Sequence, residues 1–91
     1  MIGEIVIVRC RDAGVHFGRL MMYQNRMVQL SGARRIWRWE GANTLNEVSQ
    51  TGITGGRVSE PVPEILLLDA CEIIPASDAA IAKLETTGWS E

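Results

Sequence analysis

Glu4-Ile5-Val6-Ile7-Val8-Arg9-Cys10-Arg11-Asp12-Ala13-Gly14-Val15-His16-Phe17-Gly18-Arg19-Leu20-Met21-Met22-Tyr23 decides the fold. Ile5 to Val8 is an unbroken β-branched run, and stiff χ1 rotamers favour an extended chain there. Asp12-Ala13-Gly14 supplies turn chemistry, so Val15 to Tyr23 returns as the second arm of a hairpin. Gln24-Asn25-Arg26 is a polar turn, and Met27 to Leu30 reads as a third strand. Ser31-Gly32-Ala33 permits a bend or bulge before a further strand through Arg34-Arg35-Ile36-Trp37-Arg38-Trp39. The first forty residues predict an antiparallel meander.

Beyond it, Gly41-Ala42-Asn43 ends the last strand, and Thr44 with Glu47 has the form of a capping box. A short helix from about Leu45 to Thr51 is predicted, with Leu45 and Val48 inward and Gly52 at its C′ position. Thr54-Gly55-Gly56 reads as a loop, and Arg57-Val58-Ser59 begins an extended piece. Glu60-Pro61-Val62-Pro63 suits an edge or crossing segment, because proline cannot donate to a ladder. Glu64 to Ile74 reads as one long strand, with a bulge near Asp69-Ala70, stopped by Pro75. Ser77 is a good N-cap, and a second short helix is predicted from Ala79 to Glu85. Trp89 is either a core latch or part of a subunit contact. The expectation is a single α+β domain over residues 1–91: a small, mostly antiparallel sheet of about five strands with two short helices.

Two cysteines, Cys10 and Cys71, are too few for a disulfide scaffold. Both sit in apolar runs and read as reduced, buried side chains, with one Cys10–Cys71 bridge as the alternative. Neither a CxxC pair nor a Cys/His pattern offers a metal site, and His16 is the only histidine. The N-terminus lacks the pattern of a signal peptide, and no apolar run reaches the length of a membrane span, so a soluble, intracellular protein is expected. The net charge is −2, yet the distribution is lopsided. Residues 1–57 carry +4, with eight Arg, and residues 58–91 carry −6. A protein tracking a nucleic-acid backbone is usually basic and richer in Lys, so nucleic acid is a disfavoured partner. Arg with almost no Lys suits a few directed anion contacts, or pairing with the acidic half within or between subunits.

The Arg/Trp strand is where chemistry concentrates. Side chains alternate along a strand, so Arg35, Trp37 and Trp39 are expected on one face and Arg34, Ile36 and Arg38 on the other. A guanidinium fork grips phosphate and an indole stacks on a base. The competing reading puts Trp37 and Trp39 in the core under the stem of Arg35. Arg57 adds a further cation. Asn43 and Asn46, near a helix start, offer amides to a base edge, or simply cap. No catalytic constellation stands out. His16 has no nucleophile tied to it and reads as a structural or ligand-contacting histidine. The seven acids of the second half are scattered, and Gly52, Gly55 and Gly56 form no phosphate loop.

Three blocks together resemble a family. These are Ala13-Gly14-Val15-His16-Phe17-Gly18, then Ala33-Arg34-Arg35-Ile36-Trp37-Arg38-Trp39-Glu40-Gly41-Ala42-Asn43-Thr44-Leu45, and Glu72-Ile73-Ile74-Pro75. With Pro63-Glu64-Ile65-Leu66-Leu67, they are similar to small phage and prophage proteins carrying AGVHxG, RRIWxWxGAxxL and EIIP signatures. Among these are the Thoeris anti-defence sponge proteins. The resemblance implies a non-enzymatic protein, without cofactor or metal. Such proteins sequester cyclic nucleotide immune signals, notably cyclic ADP-ribose isomers and in some members cyclic oligonucleotides, without cleaving them. It also implies a homo-oligomer, a hexamer being one form, with pockets near subunit interfaces. On residue chemistry, the ligand-binding candidates are Arg34, Arg35, Trp37, Trp39, Asn43, Arg57 and His16. The alternative is a phage protein that binds or inhibits a host protein through its Arg/Trp surface, since Trp and Arg are enriched at interface hot spots.

Overall fold

In the computed structural model, which describes residues 1–89, the opening β-branched run lies inside a six-stranded sheet. This strand, β1 (Ile5–Cys10), has Val6, Ile7 and Val8 fully buried, so both of its faces are covered. That is why it reads as continuous rather than alternating apolar sequence. The turn at Asp12-Ala13 leads into β2 (Gly14–Gln24), which pairs antiparallel with β1. Asn25 and Arg26, at φ 49° and 67°, make the tight connection to β3 (Met27–Glu40). Left-handed residues at both positions match the twist of the flanking strands.

β3 runs through the segment expected as two strands with a bend between them. At Gly32 the φ is 57°, and the pairing moves from Arg19 with Ser31 to Phe17 with Arg34. The extra residue is a bulge that glycine accommodates at little steric cost. It shifts the alternation, so Leu30 and Ala33 both reach the inner core cluster while Ile36 joins the other cluster.

α1 (Leu45–Thr51) follows the expected bounds, with Thr44 Oγ1 accepting from Glu47 N at 3.3 Å and Gly52 closing the helix at φ 78°. Then come β4 (Gly55–Val58), β5 (Val62–Leu67), β6 (Ala70–Pro75) and α2 (Asp78–Thr86). Gly55 and Gly56, expected in a loop, belong to β4. Ser77 caps α2 by accepting from Ala80 N at 3.1 Å, and Ser77 N donates to Ser49 O at 2.8 Å, tying the two helices together.

The apolar run expected as a single strand from Glu64 to Ile74 is broken in two. β5 starts earlier, includes Pro63, and pairs with β3, while β6 pairs with β1. Leu68-Asp69 turns the corner, with Asp69 at φ 55°. Asp69 O accepts from Arg11 N at 3.1 Å, and Ala70 N donates to Arg26 O at 2.9 Å. One short stretch of chain thus joins strands on opposite edges of the sheet, β5 beside β3 and β6 beside β1, which requires the sheet to curl.

Two cores result. Val6, Val8, Leu20, Leu30 and Leu67 fill the inside of the curl. Ile7, Phe17, Ile36, Val58, Val48 and Leu84 form the layer between the sheet and the helices. Each such side chain contributes about 1.5–3 kcal/mol on burial. Neither helix is long enough to persist alone, so this second core holds both in place.

Candidate functional site

β3 changes partner along its outer edge. It pairs with β5 as far as Ala33, opposite Val62, and with β4 from Ile36, opposite Val58. Arg34 and Arg35 lie at the point of divergence, and Ser59-Glu60-Pro61 spans the gap. Ser59 holds the span to the strand: its Oγ accepts from Arg35 N at 2.8 Å, and its N donates to Arg35 O at 2.9 Å. The divergence opens a cleft of about 530 Å³ lined by His16, Arg35, Ser59, Glu60, Ile65 and Trp89, among others. A volume of this order falls in the range of small-molecule sites.

His16 comes from β2, opposite Arg35 on β3. It is 1% exposed, and its Nε2 accepts from Arg35 Nε at 3.0 Å. Burial, and then the Arg35 charge, push the imidazole pKa down to about 4, so it is neutral at pH 7. Nε2 is therefore the bare nitrogen and Nδ1 carries the hydrogen; Nδ1 is buried without a partner. Arg35 itself is exposed, with its Nε directed at His16.

Trp89, from the chain after α2, forms one wall. Its ring lies 5.7 Å from that of Trp37 at 49°, and the Arg57 guanidinium lies 5.5 Å from each ring centroid. Both indoles are at least half exposed, at 59% for Trp37 and 50% for Trp89. Val58 N donates to Gly88 O at 3.0 Å, which draws the end of the chain to β4. The cluster joins an Arg to two flat apolar faces, the arrangement cation–π attraction favours.

The remaining sequence candidates lie elsewhere. A second bulge shifts the β3–β4 register between Ile36 and Arg38. Trp37 and Trp39 therefore do not share a face: Trp39 packs, half-buried, against the helix-side core with Val15 and Leu45. Asn43 sits with Trp39 and Asn46 in a separate, smaller cleft of about 380 Å³ beside the Arg9–Glu72 ion pair. The Asn43 amide donates to Glu47 Oε1 at 3.5 Å, at the edge of hydrogen bonding. Arg34 faces the helices. Its Nε donates to Ser59 O at 2.7 Å, Nη2 to Thr87 O at 2.7 Å, and Nη1 to Glu85 O at 3.1 Å and Leu84 O at 3.4 Å. It caps the carboxyl end of α2, where a cation is favoured.

His16, Arg35, Trp37 and Arg57 are thus brought to one side of the molecule, while Arg34, Trp39 and Asn43 are not. Sequence reasoning missed Ser59, Glu60 and Ile65 at the cleft. The sharp signal for them was the Pro61-Val62-Pro63 interruption, which forces a strand to end and another to begin. Cys71, expected buried, faces outward from β6; both cysteines are free. Among the described residues no group of three His, Cys, Asp or Glu lies together to hold a metal ion, and no helix is long and apolar enough to cross a membrane.

Fold and site define a small α+β domain: a curled antiparallel sheet, two helices on one face, and a cationic–aromatic cleft where strands diverge. The chain belongs to the DUF6948 family, described as a domain of unknown function, whose family model matches residues 3–84. No curated protein and no solved structure matches it.

Proposed function

We propose that this protein binds and sequesters a cyclic nucleotide immune signal, of the cyclic ADP-ribose class, without cleaving it, as a phage-type anti-defence protein in the host cytoplasm. The observation that carries the reading is the convergence of Arg35 and Trp89 on one cleft large enough for a nucleotide, with the Trp37–Arg57 pair stacked beside it. Arg35 would take a phosphate and the Trp89 indole a purine face. Glu60, on the cleft rim, would accept from ribose hydroxyls or an exocyclic amine. The resemblance in the Arg/Trp block points the same way. A sequestering protein needs an affinity of about −8 kcal/mol or better. Charge-assisted bonds at about 1.5–3 kcal/mol each and stacking at about 1–3 kcal/mol per base reach that scale if the cleft is preformed, because ordering costs are then small. Assembly as a homo-oligomer would stiffen the cleft wall that Trp89 provides.

Calorimetry against cyclic ADP-ribose isomers, ADP-ribose, NAD and cyclic di- and trinucleotides tests this. Tight binding of one compound, recovered unchanged after heat denaturation of the protein, is the expected result. A chemically altered ligand would make the protein an enzyme. The exposure of Trp37 and Trp89 favours a second reading, an interface with a host protein. Absence of binding across the panel, with one host protein captured stoichiometrically and released by Trp37→Ala, would establish it.

A further inference from the structure

Arg35 is an exposed, long side chain on a strand, and such a residue ordinarily samples many rotamers. Here one of its nitrogens is fixed. Nε donates to His16 Nε2 at 3.0 Å, and His16 is buried at the floor of the cleft. The two residues face each other across the β2–β3 ladder, so the backbone sets their spacing. Among guanidinium donors, engagement of Nε leaves Nη1 and Nη2, which lie on the far edge of the fork. That edge can meet an oxyanion end-on with two parallel bonds.

We propose that His16 is a positioning residue: through its bare Nε2 it orients Arg35 so that Nη1 and Nη2 form an end-on fork for a phosphate or diphosphate oxygen pair in the cleft. The inference deepens the nucleotide reading and rests on it for the identity of the ligand. It also explains why a polar side chain lies in an otherwise apolar wall. Val8 of β1 faces His16 on its other side, and Phe17 and Val15 beside it point to the helix layer. The charges near it are few. Arg35 is the cation, Glu60 is an acid of the cleft, and Cys10 of β1, whose thiol Arg35 influences, is held protonated by burial. A neutral acceptor suits the role better than a carboxylate. It fixes the guanidinium without neutralising it, so the whole positive charge remains for the ligand.

The device has a signature that needs no ligand. In nitrogen-15 spectra of the wild-type protein, His16 should show a protonated Nδ1 and a bare Nε2, and Arg35 Nε–H should be slow to exchange. Both signals should collapse together as the pH falls through about 4. An Nε2-protonated tautomer, or an Arg35 Nε–H that exchanges like those of solvated arginines, would overturn the proposal. The second arm uses ADP and adenosine as probes. Wild-type protein should prefer ADP. Arg35→Ala should erase the preference, and His16→Leu should reduce ADP affinity about 10-fold or more, the scale of one charge-assisted bond. His16→Gln, whose amide oxygen can accept from Nε, should stay within about 3-fold of wild type, which a merely structural role for His16 would not require. If cyclic ADP-ribose binds wild type and Arg35→Ala equally, this inference fails while the nucleotide reading stands. If nothing in the panel binds, both fail.

Discussion

Replacing Arg34 by alanine should cost more stability than removing any other charged side chain described here. The guanidinium donates three short bonds, to Ser59 O, Glu85 O and Thr87 O, at 2.7, 3.1 and 2.7 Å. They join β3 to the β4–β5 connection and to the end of α2. Bonds from a charged donor contribute about 1.5–3 kcal/mol each. The site is half-buried, so water reaches some of the abandoned carbonyls, and bonds sharing one side chain do not add. A net loss of about 3 kcal/mol is expected. With a urea m-value near ~1 kcal/mol/M, the unfolding midpoint should fall by about 3 M, and the melting temperature by ~15 °C. Lysine carries the charge but not the planar fork, so Arg34→Lys should recover roughly a third of the loss. Urea titration followed by tryptophan fluorescence reads both variants. A loss below about 1 kcal/mol for Arg34→Ala, or full recovery by lysine, would refute the assignment of Arg34 as the brace of α2.

Stability should also fall in mild acid through His16. Its folded pKa, about 4, lies below the ordinary value of 6.5, so the unfolded chain binds the extra proton first. Stability from this group is therefore present above pH 6.5 and is lost as the pH drops toward 4, by up to ~3 kcal/mol, and His16→Gln should flatten that slope in urea midpoints measured across the range. Gly56→Ala should destabilise by about 3 kcal/mol or more, since φ is 139° and a Cβ would overlap Arg38 O in the facing strand; an unchanged melting temperature would contradict the tight β3–β4 approach. A thiol reagent should label the native protein once, at exposed Cys71, and a second time, at buried Cys10, only after unfolding.

The local elements were legible where one residue type had one job. The β-branched run of β1, the caps Thr44 and Ser77, and the glycine ending α1 all announced themselves, and the helix over Leu45–Thr51 matched its expected bounds. The long-range features were not. The run Ile65 to Ile74 is apolar on both sides of the corner, so hydrophobicity alone cannot show the turn, and Asp69 adopts a left-handed conformation usually left to glycine. The faces of Trp37 and Trp39 depended on a bulge, and one extra residue exchanges inside for outside. Arg34 and Arg35 are adjacent and chemically identical, yet one braces a helix and the other lines the cleft. Strand alternation separates them onto opposite faces, but what lies on each face, helix end or cleft, follows from the change of strand partner at that point.

The corner at Leu68-Asp69 also has a consequence in time. β1 completes its pairing with β6, which the ribosome makes some 65 residues later, a delay of about 3–13 s at ordinary elongation rates. During that interval the strand most thoroughly buried in the finished molecule has an open edge where β6 will later pair. The nascent meander is then the form of this protein most vulnerable to wrong partners. The charges on Arg9 and Arg11, at the end of that bare edge, are placed where they would discourage another strand from docking.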